Sequence, residues 1–202
     1  MLWRFFQNRS ARKKNRALNY QVAIALFTQW VESGRPRFEK TNKFNPYGHG
    51  FRKIGYGNNA RAYLSPCGGF VLRITKRKRE EAGYAAFLRL ALKRQDNPYY
   101  PRIFAHLQSG NRQVVLMEAL HDWDRTSEEA LDDALEFRNY CDKSAEELPS
   151  AEALAENPHM QQAIADMHAL IAAGYEDDLH MGNILCRISD VDEHPVLIDP
   201  VW

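Results

Sequence analysis

Cysteine is scarce in this chain, and what there is does not pattern. Cys67, Cys141 and Cys186 are odd in number, far apart and in no C-x-x-C spacing, which argues against a disulfide framework and a zinc site and fits a reducing cytosol. No apolar run approaches the roughly eighteen residues of a membrane-spanning helix, so no membrane partner is expected. The segment from Met1 to Gln7 lacks the apolar stretch and small-residue cleavage site of a signal peptide, and a cytoplasmic protein is expected. Acids are missing from residues 1–31, which carry six Lys and Arg. Such an arm suits nucleic acid or an acidic partner, or is simply a solvated extension. Residues 122–156 reverse the balance with twelve Asp and Glu, most simply read as solvent-facing helices.

What is present is an ordinary folded composition, 45% hydrophobic and 26% charged over 202 residues, enough for one core or two small lobes. Leu18, Val22, Leu26 and Trp30 predict a helix over Ala17–Ser33, ended by Gly34 and Pro36, and residues 34–50 read as a connection. Ile54–Leu64 reads as one strand and Phe70–Thr75 as a second, joined through the turn chemistry of Ser65–Gly69. A helix over Glu80–Lys93 presents Tyr84, Phe87, Leu88 and Ala91. Strands over Arg102–Leu107 and Gln113–Glu118 come next. Thr126 and Glu129 form a capping box for a helix towards Tyr140, and a further helix opens at Pro158 and stops at Gly174. Asn183–Ile188 and Val196–Ile198 make a last hairpin. The expected organisation is a basic extension (residues 1–50), a β-rich half with one helix (51–120) and a helical half carrying two loops (121–202).

Chemistry concentrates in a few places. The pair Gly55 and Gly57, with Tyr56 and Asn58, is by itself an ordinary turn. A hairpin comes after it, which excludes both a dinucleotide fold and a P-loop, and leaves a Gly-rich turn whose backbone N–H groups cover phosphates. Arg73 stands in the apolar strand Val71–Ile74, where a charge needs a partner or a ligand unless the strand is an edge open to solvent. Glu80 or Glu81 would orient it, or simply serve the helix N-terminus. Val114–Leu120 is an apolar strand running into a polar connection. Asp178 and Asn183 stand five apart, and Asp199 ends the apolar run Val196–Ile198, a set that can accept a hydroxyl proton and hold a hard cation such as Mg²⁺. His180 falls beside that cation. His121, His159, His168 and His194 have no ligand spacing, and no Ser or Cys sits in a nucleophile-elbow context.

The set Gly55-Tyr-Gly57, Val71-Leu-Arg73-Ile, Met117-Glu-Ala-Leu120, Asp178-Leu-His-Met-Gly-Asn183 and Ile198-Asp199-Pro resembles the protein-kinase-like superfamily, in the variant shared with aminoglycoside phosphotransferases. Over about residues 50–202 it is most similar to the early serine/threonine protein kinases of T7-like bacteriophages. Asn183–Ser189 more weakly resembles the YrbL family of small bacterial kinase-like proteins. The resemblance implies an α+β, compact two-lobed fold with a truncated C-terminal lobe, and ATP- and Mg²⁺-dependent phosphorylation of host proteins in the host cytoplasm. Asp178 would be the catalytic base, with Asn183 and Asp199 as metal ligands. Gly55, Tyr56, Gly57 and Asn58 would cover the phosphates, Arg73 with Glu81 would stand at the nucleotide cation, and Met117, Glu118 and Leu120 would meet the adenine edge. Against the family pattern, Arg73 replaces Lys, Ala60 replaces the third loop glycine, and only three residues follow Asp199. A docking surface elsewhere is then expected. The alternatives are a non-catalytic module that binds and inhibits a host protein, and a small-molecule phosphotransferase.

Overall fold

The structure, a computed structural model, describes residues 46–56, 59–66, 68–75, 82–109, 112–142, 157–188 and 193–201. The helix expected over Ala17–Ser33 and the basic arm lie outside them. Among the described residues the chain is α+β, with antiparallel sheets and three α-helices. No helix among them is long and apolar enough to cross a membrane. The chain divides into two compact units: the described parts of Met1–Glu80 with Phe104–Ala119, and those of Glu81–Ile103 with Leu120–Trp202.

The first unit is a five-stranded sheet. Its strands are β1 (Arg52–Tyr56), β2 (Ala60–Leu64), β3 (Phe70–Thr75), β4 (Ile103–Ser109) and β5 (Arg112–Glu118), in the order β1-β2-β3-β5-β4. The single strand expected over Ile54–Leu64 is two strands here. β1 ends at Tyr56 and β2 begins at Ala60, and the sequence between them, Gly57-Asn58-Asn59, is of residue types disfavoured in a pleated strand. Tyr63, Phe70, Leu72, Val114 and Leu116 bury one face of the sheet, with Ile74, Phe104 and Leu107 packed against them. Each such side chain contributes about 1.5–3 kcal/mol when fully buried. Val115 and Met117 on the other face are buried as well, which explains why Val114–Met117 reads as an unbroken apolar run rather than an alternating one. The turn between β2 and β3 is closed by the Ser65 hydroxyl, which accepts from the Phe70 N–H at 3.1 Å.

The second unit contains α1 (Ala82–Lys93), α2 (Glu128–Asp142), α3 (Pro158–Ala172) and the hairpin of β6 (Ile184–Ile188) with β7 (Glu193–Leu197). Chain order suggests grouping α1 with the strands. Its packing instead puts it with α3, because Tyr84, Phe87, Leu88 and Ala91 form one stripe that buries within this unit. Ala130, Ala134, Phe137 and Cys141 do the same for α2, and Ala163, Ile164 and Met167 for α3.

Polar ties at the Asn97–Tyr100 turn fix the hairpin to the helices. Tyr99 packs its ring on Phe137 and His194, at 4.6 and 4.3 Å between centroids, and its carbonyl accepts from Leu197 N–H at 3.0 Å. Arg94 makes two hydrogen bonds to the Asp166 carboxylate, at 2.9 and 3.1 Å, and the Tyr100 hydroxyl donates to the same group at 3.0 Å. Burial, with the Asp166 charge adding to it, pushes the Tyr100 hydroxyl far up, so it remains a donor. Helix α3 begins as expected, with Asn157 accepting from Met160 N–H at 3.0 Å and Pro158 in the first turn. It stops at Gly174, whose φ of +92° suits a residue without a Cβ.

The start of α2 differs from the expected capping box at Thr126. The Thr126 hydroxyl is occupied by the Trp123 carbonyl, so the cap passes to Ser127, whose Oγ accepts from Ala130 N–H at 3.2 Å. Ser127 N–H and Oγ–H both donate to Glu193 of β7 at 2.7 Å, and these bonds hold the Glu193 carboxyl below the ordinary glutamate range. A depressed folded-state value stabilises the fold at neutral pH and is lost as pH falls from the ordinary value of 4.5 through the folded one. Glu193→Gln is therefore expected to lower the thermal midpoint at pH 7 and to converge with the wild type in acid. Parallel melting curves from pH 7 to pH 3 check this, and a constant gap would refute it.

Candidate functional site

Two groups of the expected residues are drawn together, one in each unit. In the first unit the ladder pairs Gly55 with Ala62, Ala62 with Arg73 and Arg73 with Val115. Paired residues point to the same face, so Gly55 and Arg73 share the face that also carries Val71 and its partner Met117. Neighbouring strands lie about 4.8 Å apart, which sets Gly55 and Arg73 roughly 10 Å from one another.

Gly55 reaches that face only through a β-bulge. Lys53 pairs with Tyr63, on the core face, yet Gly55, two residues on, pairs with Ala62 on the other. Ile54 is the extra residue, and its side chain is left exposed. A bulge of this kind bends its strand and re-aims the residues beyond it. The bulge is silent in the sequence, because a single isoleucine gives no signal of being unpaired.

Arg73 lies in the middle strand of the sheet with 9% of its surface exposed. The edge-strand alternative is therefore excluded. A guanidinium placed so deep needs compensating groups. Glu118 pairs with Phe70 and is also buried, and the chain passes from the first unit to the second at Ala119–Leu120. Tyr56 closes β1 opposite Arg61. Gly57, Asn58, Glu80 and Glu81 lie outside the described residues.

The second group is Asp178, Asn183 and Asp199. Asp178 N–H donates to the Pro200 carbonyl at 2.8 Å, and Ile198 N–H donates to the Asn183 carbonyl at 2.9 Å. These bonds flank Asp199, so the loop before β6 and the turn after β7 are held edge to edge around it. A bridge between Asp177 and Val201 extends the pairing. The Asn183 amide crosses the loop, donating to the Asp178 carbonyl at 2.9 Å and to Asp178 Oδ2 at 3.0 Å. With its N–H₂ engaged there, Oδ1 is the atom that Asn183 can offer to a cation. Asp178 is partly exposed, and Asn183 and Asp199 are half-buried.

The strand that leaves this loop is itself anchored. His121 and Cys186 exchange backbone hydrogen bonds at 2.8 and 2.9 Å, and Trp123 Nε1–H donates to the Ile184 carbonyl at 2.8 Å. These contacts, between residues far apart in sequence, carry no local signature.

Among the described residues no group of three or more His, Cys, Asp or Glu could hold a metal ion. Mg²⁺ is usually bound by one or two carboxylates with phosphate oxygens and water completing the shell. Asp199 and Asn183 Oδ1 are oxygen donors of that chemical type, on segments held together by backbone pairing. No protein-family model matches the chain, and comparison with curated proteins finds no match.

Removing the amide bridge tests the loop's construction. Asn183→Ala is expected to raise amide exchange at residues 178–183 about tenfold, the effect of losing hydrogen bonds to a charged group worth about 1.5 kcal/mol. Exchange measured by mass spectrometry reads this directly, and unchanged protection would mean that the backbone pairing alone holds the loop.

Proposed function

We propose that the chain is a protein-kinase-like phosphotransferase of two-lobed architecture, which moves the γ-phosphate of ATP to serine or threonine hydroxyls of host proteins. On this reading it is a phage early protein acting in the host cytoplasm. The observation that carries the reading is the convergence of Asp178, Asn183 and Asp199, through the hydrogen bonds on either side of Asp199. The ladder bearing Gly55 and Arg73, and the passage between units at Ala119–Leu120, agree with it.

In this reading Asp199 and Asn183 would hold Mg²⁺, whose charge would offset that of the phosphates. Asp178 accepts the proton of the attacking hydroxyl. The substrate oxygen bonds to the γ-phosphorus, the bond from that phosphorus to the β,γ-bridging oxygen breaks, and ADP leaves. Gly55 lets backbone approach the phosphates, and Arg73 pairs with their charge. Leu120 and the backbone of Met117 and Glu118 border the adenine. A second reading, a kinase-fold module that binds a host protein without turnover, is favoured by one observation. Arg73 is a rigid, buried guanidinium where the family has a compact ammonium.

Incubation with γ-labelled ATP, Mg²⁺ and bacterial host extract separates the readings. Label on protein that disappears with Asp178→Ala is the expected result. Label on small molecules alone would select a small-molecule phosphotransferase. No transfer, with nucleotide-dependent thermal stabilisation retained, would select the binding module. Arg73→Met is expected to weaken ATP binding about tenfold, the loss of one charge-assisted contact, while Arg73→Lys retains binding. Calorimetric titration reads both, and unchanged affinity in Arg73→Met removes this residue from the site.

A further inference from the structure

The loop between Asp178 and Asn183 contains a second restraint on the Asp178 carboxylate. His180 Nδ1 accepts a hydrogen bond from Gly182 N–H at 3.0 Å. A ring nitrogen that accepts carries no proton, so in the neutral imidazole the proton sits on Nε2. That nitrogen lies 3.6 Å from Asp178 Oδ1, while the other oxygen, Oδ2, accepts from Asn183. The carboxylate is thus addressed on both oxygens by side chains of its own loop. The contact is too long for a full hydrogen bond, and it acts as a directed dipole.

Gly182 is part of the same device. A Cβ at this position would meet His180 Cε1 at 2.9 Å and Nδ1 at 3.0 Å. Alanine would therefore push the ring off its seat. The displaced atoms belong to a side chain that is 62% exposed, so the fold itself is not at risk.

We infer that His180, seated by Gly182, is a positioning residue that sets the orientation of the Asp178 carboxylate between Asn183 and the incoming hydroxyl. This inference rests on the phosphotransferase reading. It assigns His180 to Asp178 rather than to the cation beside which the sequence motif had set it.

His180→Asn separates the two jobs of the ring. An asparagine side-chain oxygen can still accept from the N–H two residues on, so the turn is kept. Its amide is too short to face Asp178. The expected result is a kcat at least tenfold below wild type with KM for ATP within twofold, and the same split in Gly182→Ala. Wild-type kcat in His180→Asn, with transfer that still requires Asp178, overturns the positioning role and leaves the ring as a turn cap. A matched fall in thermal stability also overturns it, since the effect would then be structural. Wild-type protein that shows no Asp178-dependent transfer fails the phosphotransferase reading before any His180 variant is compared. Imidazole ¹⁵N shifts are read in parallel. They are expected to report the Nε2–H tautomer in the wild type and its loss in Gly182→Ala, and a protonated Nδ1 in the wild type overturns the seating itself.

Discussion

The candidate site depends on two backbone hydrogen bonds, Asp178 N–H to Pro200 and Ile198 N–H to Asn183. Backbone pairing fixes position without regard to side-chain identity, so it leaves Asp178, Asn183 and Asp199 free to be chosen for chemistry. It also explains the order of elements around them. Strands β6 and β7 must run antiparallel for the loop before one to meet the turn after the other. The ring of Tyr99 beneath that hairpin, and the exchange between His121 and Cys186, keep the pair from sliding.

The first unit solves a different problem, how to hold a cation in the middle of a sheet. Arg73 shares its face with apolar Val71, Val115 and Met117, where an isolated charge would be driven out. The bulge at Ile54 turns Gly55, and the backbone beyond it, to that face. A regular strand would have left Gly55 on the side of Tyr63, opposite Arg61.

Much of the fold was legible in the sequence. The stripe of α1 repeats at helical spacing, and Pro158 and Gly174 mark α3 with residues whose conformational limits are local. The hairpin through Ser65–Gly69 is legible for the same reason. What escaped depends on which of several possible partners a group takes, near or distant in the chain. Thr126 is a plausible cap until Trp123 takes its hydroxyl, and Ser127 becomes one because Glu193 lies against it. Grouping α1 with the strands follows chain order, which has no bearing on where its apolar stripe is buried. In the site, the five-residue spacing of Asp178 and Asn183 could be read, whereas the Pro200 contact and the seat that Gly182 makes for the His180 ring could not.

Neither unit is a continuous stretch of polypeptide. The chain passes between them near residues 80, 103 and 119, and β5 lies in the sheet between β3 and β4. The sheet therefore cannot close until β5 has left the ribosome. A nick anywhere from residue 94 to 102, after α1 and before β4, would leave each unit with strands or helices on both fragments. One cut in that stretch thus divides both units at once.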